Sequence, residues 1–102
     1  RAYRSSEKMN LVMFSQTTCG PCRQLRPHLE AAAKIAGLVL EIWNVDDNWP
    51  LCQKYGVVRT PTVFVMDDDL IVVAKLESTE PGVTPNALNI ADELVMITNG
   101  NV

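Results

Sequence analysis

The sequence predicts an α/β fold: a single domain over residues 1–102, with a mixed central sheet of about four strands flanked by helices. Three observations carry that reading. Short, continuous apolar runs alternate with segments of helical apolar spacing, as strands buried on both faces and the helices covering them require. Two late apolar runs flank Asp67-Asp68-Asp69 and read as an antiparallel hairpin, whereas a helix separates the two earlier strands. A length of 102 residues leaves room for one modest core.

The elements follow in order. Leu11-Val12-Met13-Phe14 is the first buried strand. Thr17 and Thr18 are candidate caps for the next element, and Pro21 suits a first helical turn, where its missing N–H has no partner to lose. A helix is predicted over about residues 22–36, with Leu25, Leu29, Ala32, Ala33 and Ala36 at helical spacing and Gly37 as its stop. Pro27 lies inside it and should bend it, because it removes a backbone donor and crowds the preceding turn. Residues 38–45 read as a second strand on Val39, Ile42, Trp43 and Val45. Asp46, Asp47 and Asn48 offer caps for a short helix over 50–55, stopped by Gly56. The hairpin strands are 63–66 and 70–74. Thr84-Pro85 opens a last helix, with Leu88, Ala91, Leu94, Val95 and Thr98 on one face, closing at Asn99-Gly100. Residues 1–10 are polar and read as a loose arm or a weak edge strand.

Composition narrows the function. Hydrophobic residues make up 47% and charged residues 21%, which is ordinary for a globular protein and too apolar for a disordered chain. The net charge is −3 without a basic block, so nucleic acid is not an expected partner. The apolar runs are too short to span a bilayer, and no charged-then-apolar leader is visible, so no membrane partner is expected and a reducing cytoplasm is the expected setting. Three cysteines are an odd number, which argues against a fully paired disulfide scaffold.

The chemistry-bearing pattern is Cys19-Gly20-Pro21-Cys22, between a buried strand and a helix. Disulfide exchange needs an attacking thiolate and a second thiol near enough to displace the mixed disulfide. Cys19 stands just before the first helical turn, where unpaired backbone N–H groups and the positive end of the helix dipole stabilise an anionic sulfur. Cys19 is therefore expected to be the exposed nucleophile and Cys22, one turn in, the resolving thiol, with Arg23 and Arg26 adding positive charge nearby. A structural Cys-x-x-Cys is the plain alternative. A zinc site would draw on Cys19, Cys22, Cys52 and His28, whose spacing matches no common zinc pattern.

These residues resemble the thioredoxin family. The marks are Cys19-Gly20-Pro21-Cys22 after an apolar strand, Pro27 five residues beyond the second cysteine, and Tyr55-Gly56-Val57-Val58-Arg59-Thr60-Pro61-Thr62 entering the third strand. The resemblance implies a thioredoxin-like fold and reduction of protein disulfides through a redox-active Cys19–Cys22 pair, without a bound cofactor or metal. It implies a cis Pro61 beside the cysteines and a substrate groove formed by Thr18, Gly20, Pro21, Arg59, Thr60, Pro61 and Glu77. Lacking an N–H, Pro61 offers no donor to a neighbouring strand and leaves the Thr60 backbone to pair with an extended substrate. The partners implied are client protein disulfides, with a separate reductase or glutathione as electron source; a monomer is expected.

The departures from the family are as informative. Met13 and Ile42 stand where thioredoxins usually carry a buried carboxylate and a facing lysine. Losing both together is coherent, because one buried charge left alone would cost several kcal/mol. Cys22 is then expected to lie in apolar surroundings that disfavour its thiolate, without the usual proton acceptor. Thr18 replaces a tryptophan, and Arg59 and Glu77 replace small glycines, so the docking surface is expected to be more charged than usual. In size and element order the chain is closer to glutaredoxins and to compact thioredoxins of some phages and archaea.

Other residues have plainer readings. Cys52 is expected to be a packed core thiol, His28 to face solvent, and Trp43 and Trp49 to pack. Asp67-Asp68-Asp69 lacks the spacing of a calcium loop and reads as a solvated turn. No glycine-rich nucleotide loop is present. Against the redox carrier stand a binding module or subunit of the same fold with an incidental dithiol, and an oxidase or isomerase of an oxidising compartment.

Overall fold

Seven elements appear in the computed structural model, which describes residues 9–99: β1 (Met9–Ser15), α1 (Gly20–Ala36), β2 (Val39–Asn44), α2 (Trp49–Tyr55), β3 (Thr62–Asp67), β4 (Val72–Lys75) and α3 (Ala87–Thr98). The sheet order is β2-β1-β3-β4. β1 and β2 are parallel across the α1 crossover, and β1/β3 and β3/β4 are antiparallel. This is the mixed four-stranded α/β sheet that the alternation of runs predicts.

The strand alternation sorts the core into two halves. Met9, Leu11 and Met13 of β1 and Val63 and Val65 of β3 point to one face, where Leu25, Leu29, Ala32 and Ala33 of α1 and Ile90, Ala91 and Leu94 of α3 cover them. Val12, Phe14, Phe64 and Met66 point to the other, against Cys52, Val45 and Val57 with Trp43, Leu51 and Tyr55 at the margin. That second half is aromatic: Phe14 meets Trp43, Tyr55 and Phe64 edge-on at centroid distances of 5.4, 5.6 and 5.6 Å. Each such pair contributes roughly 0.5–1.5 kcal/mol beyond its buried area.

Several local expectations are corrected. β1 starts at Met9, so Met9 and Asn10 are central-strand residues, and the rest of the expected polar arm lies outside the described residues. α1 begins at Gly20 and runs unbroken across Pro27 to a left-handed Gly37, whose N–H reaches Ala33 O. α3 begins at Ala87 because Asn86, not Thr84-Pro85, caps it by accepting the Asn89 N–H at 3.1 Å. Its buried stripe is Ile90, Ala91 and Leu94, while Leu88 and Val95 are 66% and 41% exposed. In the β3–β4 turn Asp67 Oδ1 accepts N–H groups from Asp69 and Ile71, with Leu70 at a φ of 61°. A bulge opposite Val65/Met66 follows, delaying β4 to Val72.

Candidate active site

The site grows from the junction of β1 and α1. Cys19 has extended backbone angles and is itself the N-cap of α1: its Sγ accepts the Cys22 N–H at 3.1 Å. Cys19 and Cys22 form a disulfide with a Cα–Cα distance of 5.2 Å. A first-turn donor is thus aimed at the first sulfur, and the helix dipole acts in the same direction. Neither Thr17 nor Thr18 supplies the cap. Cys19 is 8% exposed and Cys22 2%, so Cys19 is the more accessible residue of the pair but is buried, not exposed as expected. A Cβ at Gly20 would meet nothing within 4 Å, so the surface over the motif is open to close approach.

Two side-chain ties hold the approach to Cys19. Asp46, just past β2, accepts the Thr17 N–H with both carboxylate oxygens at 3.2 Å and also accepts a hydrogen bond from the Thr17 hydroxyl. Asn44 steadies the pair, donating to Thr17 Oγ1 and accepting the Asp46 N–H at 2.8 Å. On the other side the Thr60 hydroxyl donates to Gln16 Oε1 at 2.8 Å, which brings the segment before β3 to the cysteine loop. The Thr60–Pro61 peptide bond is cis. Thr62 closes the segment by donating to Arg59 O at 2.7 Å.

A groove of about 350 Å³ opens beside the disulfide. Pro21, Gln24 and Leu25 form one wall, Thr60 and Pro61 the floor, and loop residues 79–85 the far wall. Arg59 flanks this floor and Glu77 does not line the groove. The Glu77 N–H is engaged by Glu93 at 2.8 Å, and the carboxylate facing Arg59 belongs to Glu80, with Arg59 Nη2 to Glu80 Oε2 at 3.0 Å. Lys75 Nζ lies 3.3 Å from the other Glu80 oxygen. Sequence reasoning missed Glu80, Asp46 and Gln16. Their partners lie 21, 29 and 44 residues away, beyond the reach of any local pattern.

Behind the disulfide the surroundings are apolar. Met13 and Ile42 are register partners on β1 and β2 and belong to the same core half as Cys22. Among the described residues Thr62 is the buried polar side chain, and no buried carboxylate accompanies the sulfurs. The other zinc candidates do not gather with the pair: Cys52 is buried in the opposite core half, and no cluster of three His, Cys, Asp or Glu is found among the described residues. Trp43 packs on Phe14 and Tyr55 and His28 is partly exposed, whereas Trp49 is 60% exposed and departs from the expected packing. Arg26 lies 3.5 Å from Glu30 on the outer face of α1. No helix among the described residues is long and apolar enough to cross a membrane.

Comparison with known proteins meets the same features. The thioredoxin family model matches residues 2–91. Thioredoxin of Streptomyces clavuligerus is 41% identical over 68 residues, covering 66% of this chain and 64% of the relative. Thioredoxin of Bacillus subtilis is 37% identical over 70 residues, covering 67% of each. The chain thus spans about two thirds of the length of the curated relatives it matches. Among solved structures, a mutant thioredoxin from Halobacterium salinarum superposes with a TM-score of 0.72 at 26% identity, covering 96% of this chain and 80% of that one. Fasciola hepatica thioredoxin follows at 0.64 and 27%, covering 85% and 78%. With the Cys19–Cys22 pair at the head of α1 and the family model matched over residues 2–91, the chain belongs to the thioredoxin family.

Proposed function

We propose that the protein is a thiol–disulfide oxidoreductase that reduces protein disulfides through Cys19 and Cys22. The observation that carries the reading is the Cys19–Cys22 disulfide at the N-terminus of α1, with a helix N–H on Cys19 Sγ and a groove alongside. In the reduced protein the Cys19 thiolate attacks one sulfur of a client disulfide. A Cys19–client bond forms, the client S–S bond breaks, and the first client thiolate leaves. Cys22 then loses its proton and attacks Cys19 Sγ, closing the Cys19–Cys22 bond and releasing the second client thiolate. Two electrons pass to the client, and the protein is left oxidised.

The proton from Cys22 leaves without a buried carboxylate to take it, so water or the departing client thiolate is the acceptor. An extended client segment docks along Thr60, Pro61 and Pro21, which line the groove, with Thr18, Gly20 and Arg59 next to these in the chain. The pair itself carries the electrons, so no further cofactor is needed. A separate reductase or glutathione resupplies them, and the protein works as a monomer in the reducing cytoplasm.

Insulin reduction by dithiothreitol tests the activity: the wild type accelerates it and Cys19→Ser does not. Parallel titration of the dithiol against glutathione reads its potential. A wild type that fails to accelerate insulin reduction yet holds a folded partner would instead make the domain a binding module.

A further inference from the structure

The loop between β4 and α3 forms one wall of the groove, and it is tied down at two points. The Glu93 carboxylate of α3 accepts the N–H groups of Glu77 and Ser78 at 2.8 and 3.0 Å, together with the Ser78 hydroxyl. Glu80 then bridges Arg59, on the segment entering Pro61, and Lys75, at the end of β4. Turns link Glu80 N to Glu77 O and Val83 N to Glu80 O at 3.2 and 3.1 Å. Gly82 takes a left-handed φ of 89°, and Pro81 and Pro85 restrict the rest. The lining behind this anchor is apolar: Pro21 and Leu25 face Pro81, Val83 and Pro85.

We propose that Glu80 is a positioning residue for disulfide exchange: its double ion pair fixes the 79–85 wall so that the groove selects extended, apolar peptide segments flanking a client disulfide over compact small-molecule disulfides. The inference rests on the activity proposed above. The groove is lined by residues of the 79–85 loop and by neither cysteine, so exchange with a compact disulfide does not require filling it, whereas a peptide flanking the disulfide would occupy it. One carboxylate serving two cations orders three side chains around a single point, although solvent screens a pair whose members are 32–54% exposed. The wall's hold should therefore weaken with salt.

The experiment compares reduction of a disulfide-bridged apolar peptide with reduction of 5,5′-dithiobis(2-nitrobenzoate), for wild type, Glu80→Ala, Glu80→Asp and Arg59→Ala. In Glu80→Ala and Arg59→Ala the ratio of peptide to small-disulfide kcat/KM should fall about five-fold, through KM for the peptide rather than kcat. Glu80→Asp should recover part of it. Raising salt should lower the wild-type ratio and leave that of Glu80→Ala unchanged. Equal losses on both substrates, an effect on kcat alone, or a salt response identical in wild type and Glu80→Ala would overturn the role of Glu80. A wild type that reduces neither substrate would overturn the activity and this inference together.

Discussion

Cys22 and Cys52 are equally buried, each 2% exposed, yet they sit in opposite halves of the core and in opposite electrostatic settings. Cys22 lies in the first turn of α1, where backbone donors point outward and one is bonded to the neighbouring sulfur. Cys52 lies in the short α2, where its own carbonyl accepts the N–H groups of Gly56 and Val57 that close the helix. Its surroundings are the aromatic half around Phe14 and Phe64, with no second thiol. Burial therefore does not distinguish the cysteine we assign to disulfide exchange from the one we do not. A helix end that offers donors, a partner sulfur one turn away and a groove alongside do.

The sharpest way to break this comparison is to exchange the roles. Cys19→Ser should remove disulfide reduction down to the uncatalysed rate, and Cys22→Ser should accumulate mixed disulfides with the client, visible by non-reducing mass spectrometry. Cys52→Ala should retain turnover while losing about 1–2 kcal/mol of stability from the vacated core volume. Alkylation of the reduced protein, mapped by peptide mass, should strike Cys19 first. Faster labelling of Cys22 or Cys52 would reverse the assignment.

The next largest effect lies behind Cys22. Met13 is 1% exposed and faces Ile42, so Met13→Asp places a carboxylate in a site with no buried cation among the described residues to meet it. Urea unfolding should show a loss of about 2–5 kcal/mol, the range expected for an unpaired buried charge. A loss below about 1 kcal/mol would mean that solvent reaches this part of the core.

Much of this contrast is legible in the sequence, and the exceptions share a cause. The order of elements along the chain and the α1 stripe of Leu25, Leu29, Ala32 and Ala33 follow from periodicity, which is local, whereas the facing Met13 and Ile42 follow from the family resemblance. The helix starts are less so. Cys19 rather than Thr17 or Thr18 caps α1, with Thr17 bonded to Asp46 instead, and Asn86 rather than Thr84-Pro85 caps α3, whose buried face is Ile90, Ala91 and Leu94 without Leu88. Glu80 escaped notice beside Glu77 because nothing in a run of loop residues says which carboxylate turns back toward Arg59.

A kinetic prediction sharpens the setting of Cys22. With no buried carboxylate at hand among the described residues, its proton must go to solvent or substrate, and only the thiolate attacks. The closing step should therefore speed up as pH rises, by about tenfold per unit while the thiol stays mainly protonated. Stopped-flow release of the second thionitrobenzoate from 5,5′-dithiobis(2-nitrobenzoate) isolates this step. A rate that is flat from mildly acid to mildly alkaline pH would show that another group takes the proton.

The smallest expected effect separates how the two cysteine neighbourhoods are held. The end of α2 after Cys52 is closed by backbone bonds, Val57 N to Cys52 O at 2.8 Å among them, and these survive side-chain changes. The approach to Cys19 depends instead on Asp46, whose carboxylate takes both the N–H and the hydroxyl of Thr17. Because Asp46 and Thr17 are exposed, water replaces much of what is lost, and Asp46→Ala should cost only about 0.5–1.5 kcal/mol in urea unfolding. The loosened 16–18 segment should nonetheless raise the alkylation rate of Cys19 in the reduced protein by about two- to three-fold, on the order of 0.5 kcal/mol of local opening. Alkylation of Cys52 in the same sample should change far less, since the Asp46 carboxylate is bonded to Thr17 and not to the residues packed around Cys52. Equal acceleration at both cysteines would mean that Asp46 supports the whole fold rather than the mouth of the site.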